Sequence, residues 1–519
     1  MRKIYEIIDT SPWKVLIGIS FFYFLLIFIV KNPKPVYGDG GLMYLQTKQI
    51  VDSNFSTFRF DYKGRVYDST GRYAPYTKPF LAKIENNYYI DFPPYFPLLN
   101  SLFYKFFDYR GLYILSFLSL ILSLFFLSRI GKTLNFSHRK TNLLLFLFAF
   151  CTSVPLYNFV YHEYPLAIFL FIASAYFLIH SFQDNSPKKI YYILFGLFAG
   201  ISLFFRLELM FVYLALGISF LFYKKNGNLS MIVFSGLGFI LPFGILMSTN
   251  FYLHSHPLGL RYVLTLENTN ETISMRLNII QMMLFSPLRG IFFQSPFTLV
   301  AIFLFFTRKN LNVTEKFLFF AIVISFCLIL FISPNDGDHI APRYLFGIFP
   351  LLCVLFLLLI PEFDFKGFNT IFQILIILSI LFSSYSLWKN IRWISNSDKN
   401  IISFNTKLNK IPEKIIIFQE YASTLNLQNS YSDRIFFVAE KKTDLENLIQ
   451  SLIKNNTEKF VIAENAIQTT QKDTNPSQAS SNNNLDKKSL DWRNDPRLKT
   501  ISKTQDFPFI FHHIQVTKK

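Results

Sequence analysis

Ten long apolar stretches, near residues 14–30, 111–130, 141–158, 164–181, 191–223, 230–249, 290–306, 316–333, 343–360 and 368–388, constrain this chain more than any motif in it. A helix needs about 20 apolar residues to cross ~30 Å of hydrocarbon, and a buried apolar chain must satisfy its own backbone polar groups. The composition agrees: 51% of residues are hydrophobic, 64 are Phe, and only 16% are charged. Soluble domains carry nearer a quarter charged. A disordered chain, a disulfide scaffold and an ordinary cytosolic enzyme are excluded. The formal charge of +18 raises nucleic acid as a partner, which requires a basic patch on a soluble domain. Residues 391–519 hold 19 basic and 14 acidic groups, a net of only +5, whereas most basic residues of the first 390 flank apolar runs. Charge placed this way sets topology, so nucleic acid is not expected as a partner.

The run 191–223 is too long for one span, since 33 residues at 1.5 Å each reach about 50 Å. Arg206 and Glu208 interrupt its middle, which predicts two short helices meeting there and eleven spans in total. With the N-terminus cytoplasmic, the basic loops (Lys132/Arg139/Lys140, Lys188/Lys189, Lys224/Lys225, Arg308/Lys309 and Lys366) then fall on one side, as the positive-inside rule requires. Met1–Val30 has a basic start and an apolar run but no small-residue cleavage site, and reads as an uncleaved first helix. Cys151, Cys327 and Cys353 lie in apolar runs and read as packing residues.

The expected organisation is a transmembrane domain over 1–390, with a long external loop at 31–110, and an exported domain over 391–519. In the latter, Ile415–Phe418, Arg434–Val438 and Lys459–Ile462 are short strands. Between the last two, Thr443 and Glu446 form a capping box that opens a helix with Leu445, Leu448, Ile449, Leu452 and Ile453 on one face. This β–α–β order predicts a small α/β domain, with a further strand at 509–516. Residues 468–490 are rich in Gln, Ser, Asn and Thr and read as a disordered insertion.

The eleven-span topology puts the unusual polar residues on the external side: Asp39, Asp91, His162, Glu163, Arg206, Glu208, His254, His256, Arg261, Arg289, Asp336, Asp338, His339 and Arg343. Ionisable groups at span ends line a wet cavity or a site more readily than they face lipid. Asp39 stands between glycines; it is either a turn or helix-capping residue, or a carboxylate placed to take a proton from a hydroxyl. Asp91, ahead of Pro93 and Pro94, is a metal or acceptor contact or a helix N-terminal acid. His162 and Glu163 either cap a span or join Asp39 or Asp91 around a divalent cation. Arg206, Arg289 and Arg343 each end a helix on this side, two of them beside proline. Three guanidinium groups around one cavity make a phosphate clamp; the alternative is snorkelling or pairing with Glu208 and Asp338. Taken together, the three favour phosphate.

At this point residues 1–390 resemble the GT-C glycosyltransferases that use lipid-linked sugars, including the protein O-mannosyltransferases and the bacterial lipid A aminoarabinose transferases. Asp39 stands where that family has its first-loop acid, Asp91-Phe-Pro-Pro94 resembles its acid-Lys-Pro-Pro element, and Glu163 stands at its second-loop acid. Segments such as Arg206-Leu-Glu208, Phe285–Pro296 and Pro342–Leu345 are similar to those of bacterial members. Phe92 replaces the family's lysine, so that phosphate or metal-shell contact is missing.

The resemblance implies an α-helical polytopic membrane protein of the cytoplasmic (inner) membrane, with about eleven spans and a small external α/β domain. It implies inverting transfer of a sugar from a polyprenyl-phosphate donor to an exported lipid, glycan or protein. In that reading Asp39 is the catalytic base, Arg206, Arg289 and Arg343 bind the donor phosphate, and Asp91, Glu163 and His162 form the acceptor or metal shell. A divalent metal ion held by Asp39, Asp91 and Glu163 is its optional cofactor. The competing class is a non-enzymatic transporter, flippase or envelope scaffold. Transporters place polar groups at mid-membrane on broken helices, whereas here they gather at one face.

Overall fold

The structure, a computed structural model, describes residues 11–29, 36, 38–76, 80–224, 228–260, 272–333, 341–360, 370–465, 492, 495–506 and 509–517. In chain order the helices are α1 (Pro12–Phe24, prolonged by the π-helical turn Leu25–Ile29), α2 (Gly38–Asp52), α3 (Tyr95–Gly111), α4 (Ile114–Thr133), α5 (His138–Cys151), α6 (Tyr164–Gln183), α7 (Lys189–Ser202) and α8 (Leu209–Tyr223). There follow α9 (Asn228–His254), α10 (Ile273–Phe285), α11 (Ile291–Gln294), α12 (Phe297–Thr307), α13 (Val313–Ile332), α14 (Ile348–Leu359), α15 (Thr370–Lys410) and α16 (Lys442–Lys454). The strands are β1 (Leu81–Ile84), β2 (Asn87–Ile90), β3 (Ile415–Phe418), β4 (Ile435–Val438), β5 (Lys459–Asn465), β6 (Leu498–Asp506) and β7 (Phe509–Val516).

The chain divides into two compact units: residues 1–34 with 93–396, and residues 35–92 with 397–519. The first is the helical membrane unit. Among the described residues, six helices are long and apolar enough to cross a membrane, and five shorter apolar helices accompany them. Every apolar run of the sequence carries a helix, and 191–223 breaks into α7 and α8 around Arg206. Two further helices, α3 and α10, stand where the sequence reading had only loop. Their Lys, Arg, Asn and Gln residues hide them from a hydropathy argument. The three cysteines are free.

The unit is built around α6, the most buried of the six long spans, with α4 and α7 packed beside it. Helix α7 crosses α9 so closely that a Cβ added at Gly196 or Gly238 would strike the partner's backbone, at Ser235 and Ile193. Gly200, one turn beyond Gly196, rests against Pro242 within α9. Apolar lipid gives helices no hydrophobic reason to associate, so small residues that let backbones approach supply the contact.

Basic residues mark one end of this bundle. Lys140 and Arg308 donate to the carbonyls of Ile360, Leu358 and Leu359 at the C-terminus of α14. Lys224 donates to the carbonyls of Phe182 and Asp184 at the end of α6. Cations at helix C-termini satisfy orphan carbonyls and complement the macrodipole. The starts of α6 and α14, at Glu163 and just after Arg343, lie at the opposite end of those helices.

In the second unit, β3 is fully buried between β4 and β5, both parallel to it, and β7 and β6 continue the sheet antiparallel in the order β4-β3-β5-β7-β6. The expected strands form, and β6 joins them. Helix α16 buries Leu445, Leu448, Ile449 and Leu452 as expected. The expected capping box does not form: Lys441 is the N-cap, Thr443 falls inside the first turn, and Asp444 pairs with Arg72 at 2.7 Å. The insertion 468–490 lies outside the described residues.

Residues 35–92, read from the sequence as a loop of the membrane domain, belong instead to this sheet unit. The Val438 amide donates to the Tyr73 carbonyl, Ser451 Oγ to Tyr67, Thr424 Oγ1 to Pro75 and Tyr431 Oη to Asp61. Buried Asp68 organises the segment, accepting from Tyr62 Oη, Thr70 Oγ1 and the amides of Arg72 and Tyr73.

Overpacking at the α7–α9 crossing separates the backbones. Gly196→Leu should cost about 1–3 kcal/mol or more and lower the melting temperature of the detergent-solubilised protein. Gly236→Leu, whose added Cβ meets nothing within 4 Å, should leave it near wild type.

Candidate functional site

In the membrane unit, Glu163 is the N-cap residue of α6, with Pro165 fixing the first turn. Its side chain makes no cap hydrogen bond and turns instead to Arg206, whose Nη2 lies 2.9 Å from Oε1. Arg206 sits on the turn between α7 and α8, held by its amide donating to the Ser202 carbonyl. Its second nitrogen is 3.4 Å from Glu208, and its guanidinium carbon lies 3.7 Å over the Tyr164 ring. His162 stacks on the other aromatic surface of this cluster, 4.7 Å from Tyr164, and bridges the pair: Nε2 is 3.3 Å from Arg206 Nη2, and Nδ1 is 3.0 Å from Glu163 Oε2. Arginine only donates, so this geometry asks for the tautomer with Nε2 accepting and Nδ1–H facing the carboxylate.

His162, Glu163 and Arg206 are each at most 3% exposed. Burial alone would push Glu163 up, but the Arg206 guanidinium and His162 outweigh it and hold the carboxyl well below its ordinary range, at about 2. Burial would likewise pull Arg206 down, and Glu163, Tyr164 and Glu208 more than reverse it. Glu163 is therefore a fixed anion and not a proton carrier near neutrality. Arg343, also buried, lies on a 3-10 turn (Arg343–Leu345) before α14 and within electrostatic reach of Arg206. That turn is anchored by Phe346, whose ring meets Tyr157 at 5.2 Å and Tyr164 at 5.1 Å. Gly347 brings its backbone against Leu209 and Val212 of α8.

The structure thus brings together His162, Glu163, Arg206 and Arg343, whereas the sequence reading set the two arginines with Arg289 and the other two residues with Asp39 and Asp91. Arg289 is half-buried on the turn between α10 and α11, with Nη1 against the Met282 sulphur at 3.4 Å. Asp336, Asp338, His339 and Arg261 lie outside the described residues. The aromatic frame of Tyr157, Tyr164 and Phe346 was not anticipated; apolar runs rich in aromatics conceal which rings face a charge.

In the sheet unit, Asp39 occupies the first turn of α2, and Gly38 ahead of it takes the left-handed conformation (φ +54°). Asp91 is buried just after β2, its amide donating to the Phe80 carbonyl. Gln46, on the Asp39 face of α2, donates through Nε2 to the Phe92 carbonyl at 2.9 Å, fixing the segment that carries Asp91 to the helix that carries Asp39. Phe92, where the family resemblance expects lysine, stacks on Phe80. Both carboxylates act electrostatically on Tyr421, the first residue of the turn after β3. Sequence reasoning missed Tyr421, which no motif singles out.

Among the described residues, no group of three or more His, Cys, Asp or Glu side chains is arranged to hold a metal ion. Glu163 spends its oxygens on Arg206 and His162, so the expected set of Asp39, Asp91 and Glu163 does not fit a dedicated metal cage.

No family model matches this sequence, and no curated protein matches it by sequence. The fold does match solved structures. ArnT from Cupriavidus metallidurans bound to undecaprenyl phosphate superposes with a TM-score of 0.57 at 8% identity, covering 96% of this chain and 98% of that one. The same protein in the apo state gives 0.56 at 8% identity, over 96% and 97%. The chain therefore has a polytopic helical membrane fold similar to that of ArnT, and it carries a small sheet domain.

Removing one partner of a buried ion pair strands the other. Glu163→Gln should cost about 3–5 kcal/mol, seen as a lower melting temperature in detergent. Because the folded pKa is depressed, the pair's contribution is complete above the ordinary value of 4.5 and fades as pH falls toward about 2. The Gln variant should lose that acid-side component of the stability profile.

Proposed function

We propose that this protein is an inverting glycosyltransferase of the GT-C type, moving a sugar from a polyprenyl-phosphate donor to a hydroxyl of an exported lipid, glycan or protein. The observation that carries the reading is the end-to-end match, in both units, to an ArnT structure holding undecaprenyl phosphate. A fold alone does not specify chemistry. The buried cluster of cations and carboxylates at one end of the bundle, opposite the basic caps, adds the site that such chemistry needs.

The transfer takes place at the outer face of the cytoplasmic membrane, with the N-terminus cytoplasmic and the sheet unit external. The isoprenoid tail stays in lipid while its phosphate reaches the interface. Asp39 accepts the proton of the acceptor hydroxyl as its oxygen bonds to the anomeric carbon. The carbon–oxygen bond to phosphate breaks, and its electron pair leaves with the phosphate as a monoester dianion. Preorganised positive charge stabilises that developing anion.

Of the three arginines, we assign Arg343 to the phosphate, with Arg289 as an outer contact. Arg206 faces two carboxylates at 2.9 and 3.4 Å and serves chiefly to lock the turns around it. Asp91 and His162 complete the acceptor side and the arginine frame respectively. Asp39 and Asp91 would hold a divalent cation; no step above depends on it.

General-base catalysis is worth about 10²–10⁴-fold. Asp39→Asn should lower the protein's glycan or lipid product by that factor, read by mass spectrometry of the envelope from a strain lacking the gene and complemented with the variant. Product at the wild-type level would remove Asp39 from the chemistry. Lysine cannot reproduce a bidentate guanidinium contact, so Arg343→Lys should reduce turnover about tenfold or more with unchanged protein levels.

A further inference from the structure

The turn after β3 holds polar atoms that the fold itself does not use. The Tyr421 hydroxyl and both ends of the Gln428 carboxamide are buried and make no hydrogen bond among the described residues, and neither does Gln46 Oε1. Gln428 is 1% exposed and Gln46 is 6%. A buried, unpaired polar group costs stability, and native proteins carry few of them. These converge on one place. The 3-10 turns Tyr421–Asn426 and Gln428–Ser430 pack on the N-terminal part of α2. Gln428 lies against Gly41, two residues after Asp39, so closely that a Cβ there would collide with its carboxamide. Gln46 ties the same helix to the Asp91 segment. The turn is held independently of these atoms: the Tyr421 amide donates to Glu440 Oε1 at 3.0 Å, and Thr424 Oγ1 donates to the Pro75 carbonyl. Burial, then Asp91, Asp39 and Glu440, push the Tyr421 phenol above its ordinary range, so it remains a neutral hydroxyl able both to donate and to accept.

We propose that Tyr421 and Gln428, contributed by the C-terminal part of the chain, are acceptor-positioning residues that hydrogen-bond a hydroxyl-rich acceptor beside Asp39. The inference rests on the assignment of Asp39 as the base and adds to it the groups that orient the nucleophile. A phenol and a carboxamide both donate and accept, which suits neighbouring hydroxyls of a sugar more than a phosphate or an amine. Gly41 leaves the room that the carboxamide occupies, and a longer residue there would displace it.

The test uses the full-length protein in a strain lacking the gene, with Tyr421→Phe and Gln428→Met compared with Asp39→Asn. Envelope products are read by mass spectrometry. Melting temperature and retention of added undecaprenyl phosphate are measured on the purified variants. Both substitutions remove an unpaired polar group at nearly constant volume. Product should therefore fall about tenfold or more, while the melting temperature stays at or above wild type and undecaprenyl phosphate retention is unchanged. A structural role would instead lower the melting temperature together with the product, and that result overturns the proposal. Wild-type product from both variants, with Asp39→Asn inactive, overturns it while sparing the base assignment. Loss of product in Tyr421→Phe, with Asp39→Asn fully active, removes the base assignment and leaves the acceptor contact standing.

Discussion

The membrane unit is organised around a charge that has nowhere to go. Arg206 is 3% exposed between two apolar helices, and a lone guanidinium at such depth would cost several kcal/mol. Glu163 at the start of α6, Glu208 at the start of α8, and the Tyr164 ring together make its burial tolerable. Meeting that requirement draws the ends of α6, α7 and α8 to one place. The Tyr157–Tyr164–Phe346 frame then brings the Arg343 turn and the start of α14 to the same place. A constraint of electrostatics thus becomes a constraint on helix placement.

The same helices carry the opposite arrangement at their other ends. There Lys140, Arg308 and Lys224 serve the C-terminal carbonyls of α14 and α6. Basic residues that flank the apolar runs therefore also finish the helices. Balanced carboxylate–arginine chemistry is left to the N-terminal ends, where helix dipoles favour anions such as Glu163 and, in the proposed reaction, a phosphate.

Much of this was legible in the sequence because hydropathy and charge act locally. The break at Arg206, the strands of the sheet unit and the placing of His162, Glu163, Arg206 and Arg343 at helix ends all follow from runs of apolar residues and the points where they stop. What was not legible depends on contacts between distant segments. Nothing near residues 38–92 announces that they complete a sheet domain more than 300 residues later, because Tyr73 and Val438 make sense only once paired. α3 and α10 were hidden by their polar residues, and the capping box at Thr443 gave way to an ion pair between Asp444 and Arg72. Arg206 looked from the sequence like a phosphate ligand because Glu208 could be named as its partner but Glu163, 43 residues away in the chain, could not. Tyr421 carries no motif at all; only its burial and its neighbours mark it.

The central claim, that a lipid-linked phosphate is held at the arginine end of the bundle, is tested most directly by electron cryo-microscopy of the full-length protein in nanodiscs with undecaprenyl phosphate. Phosphate density should meet the Arg343 guanidinium, with the Arg206–Glu163 pair intact beneath it. Density instead among Lys140, Lys224 and Arg308 at the opposite end, or well removed from Arg343, would contradict the account.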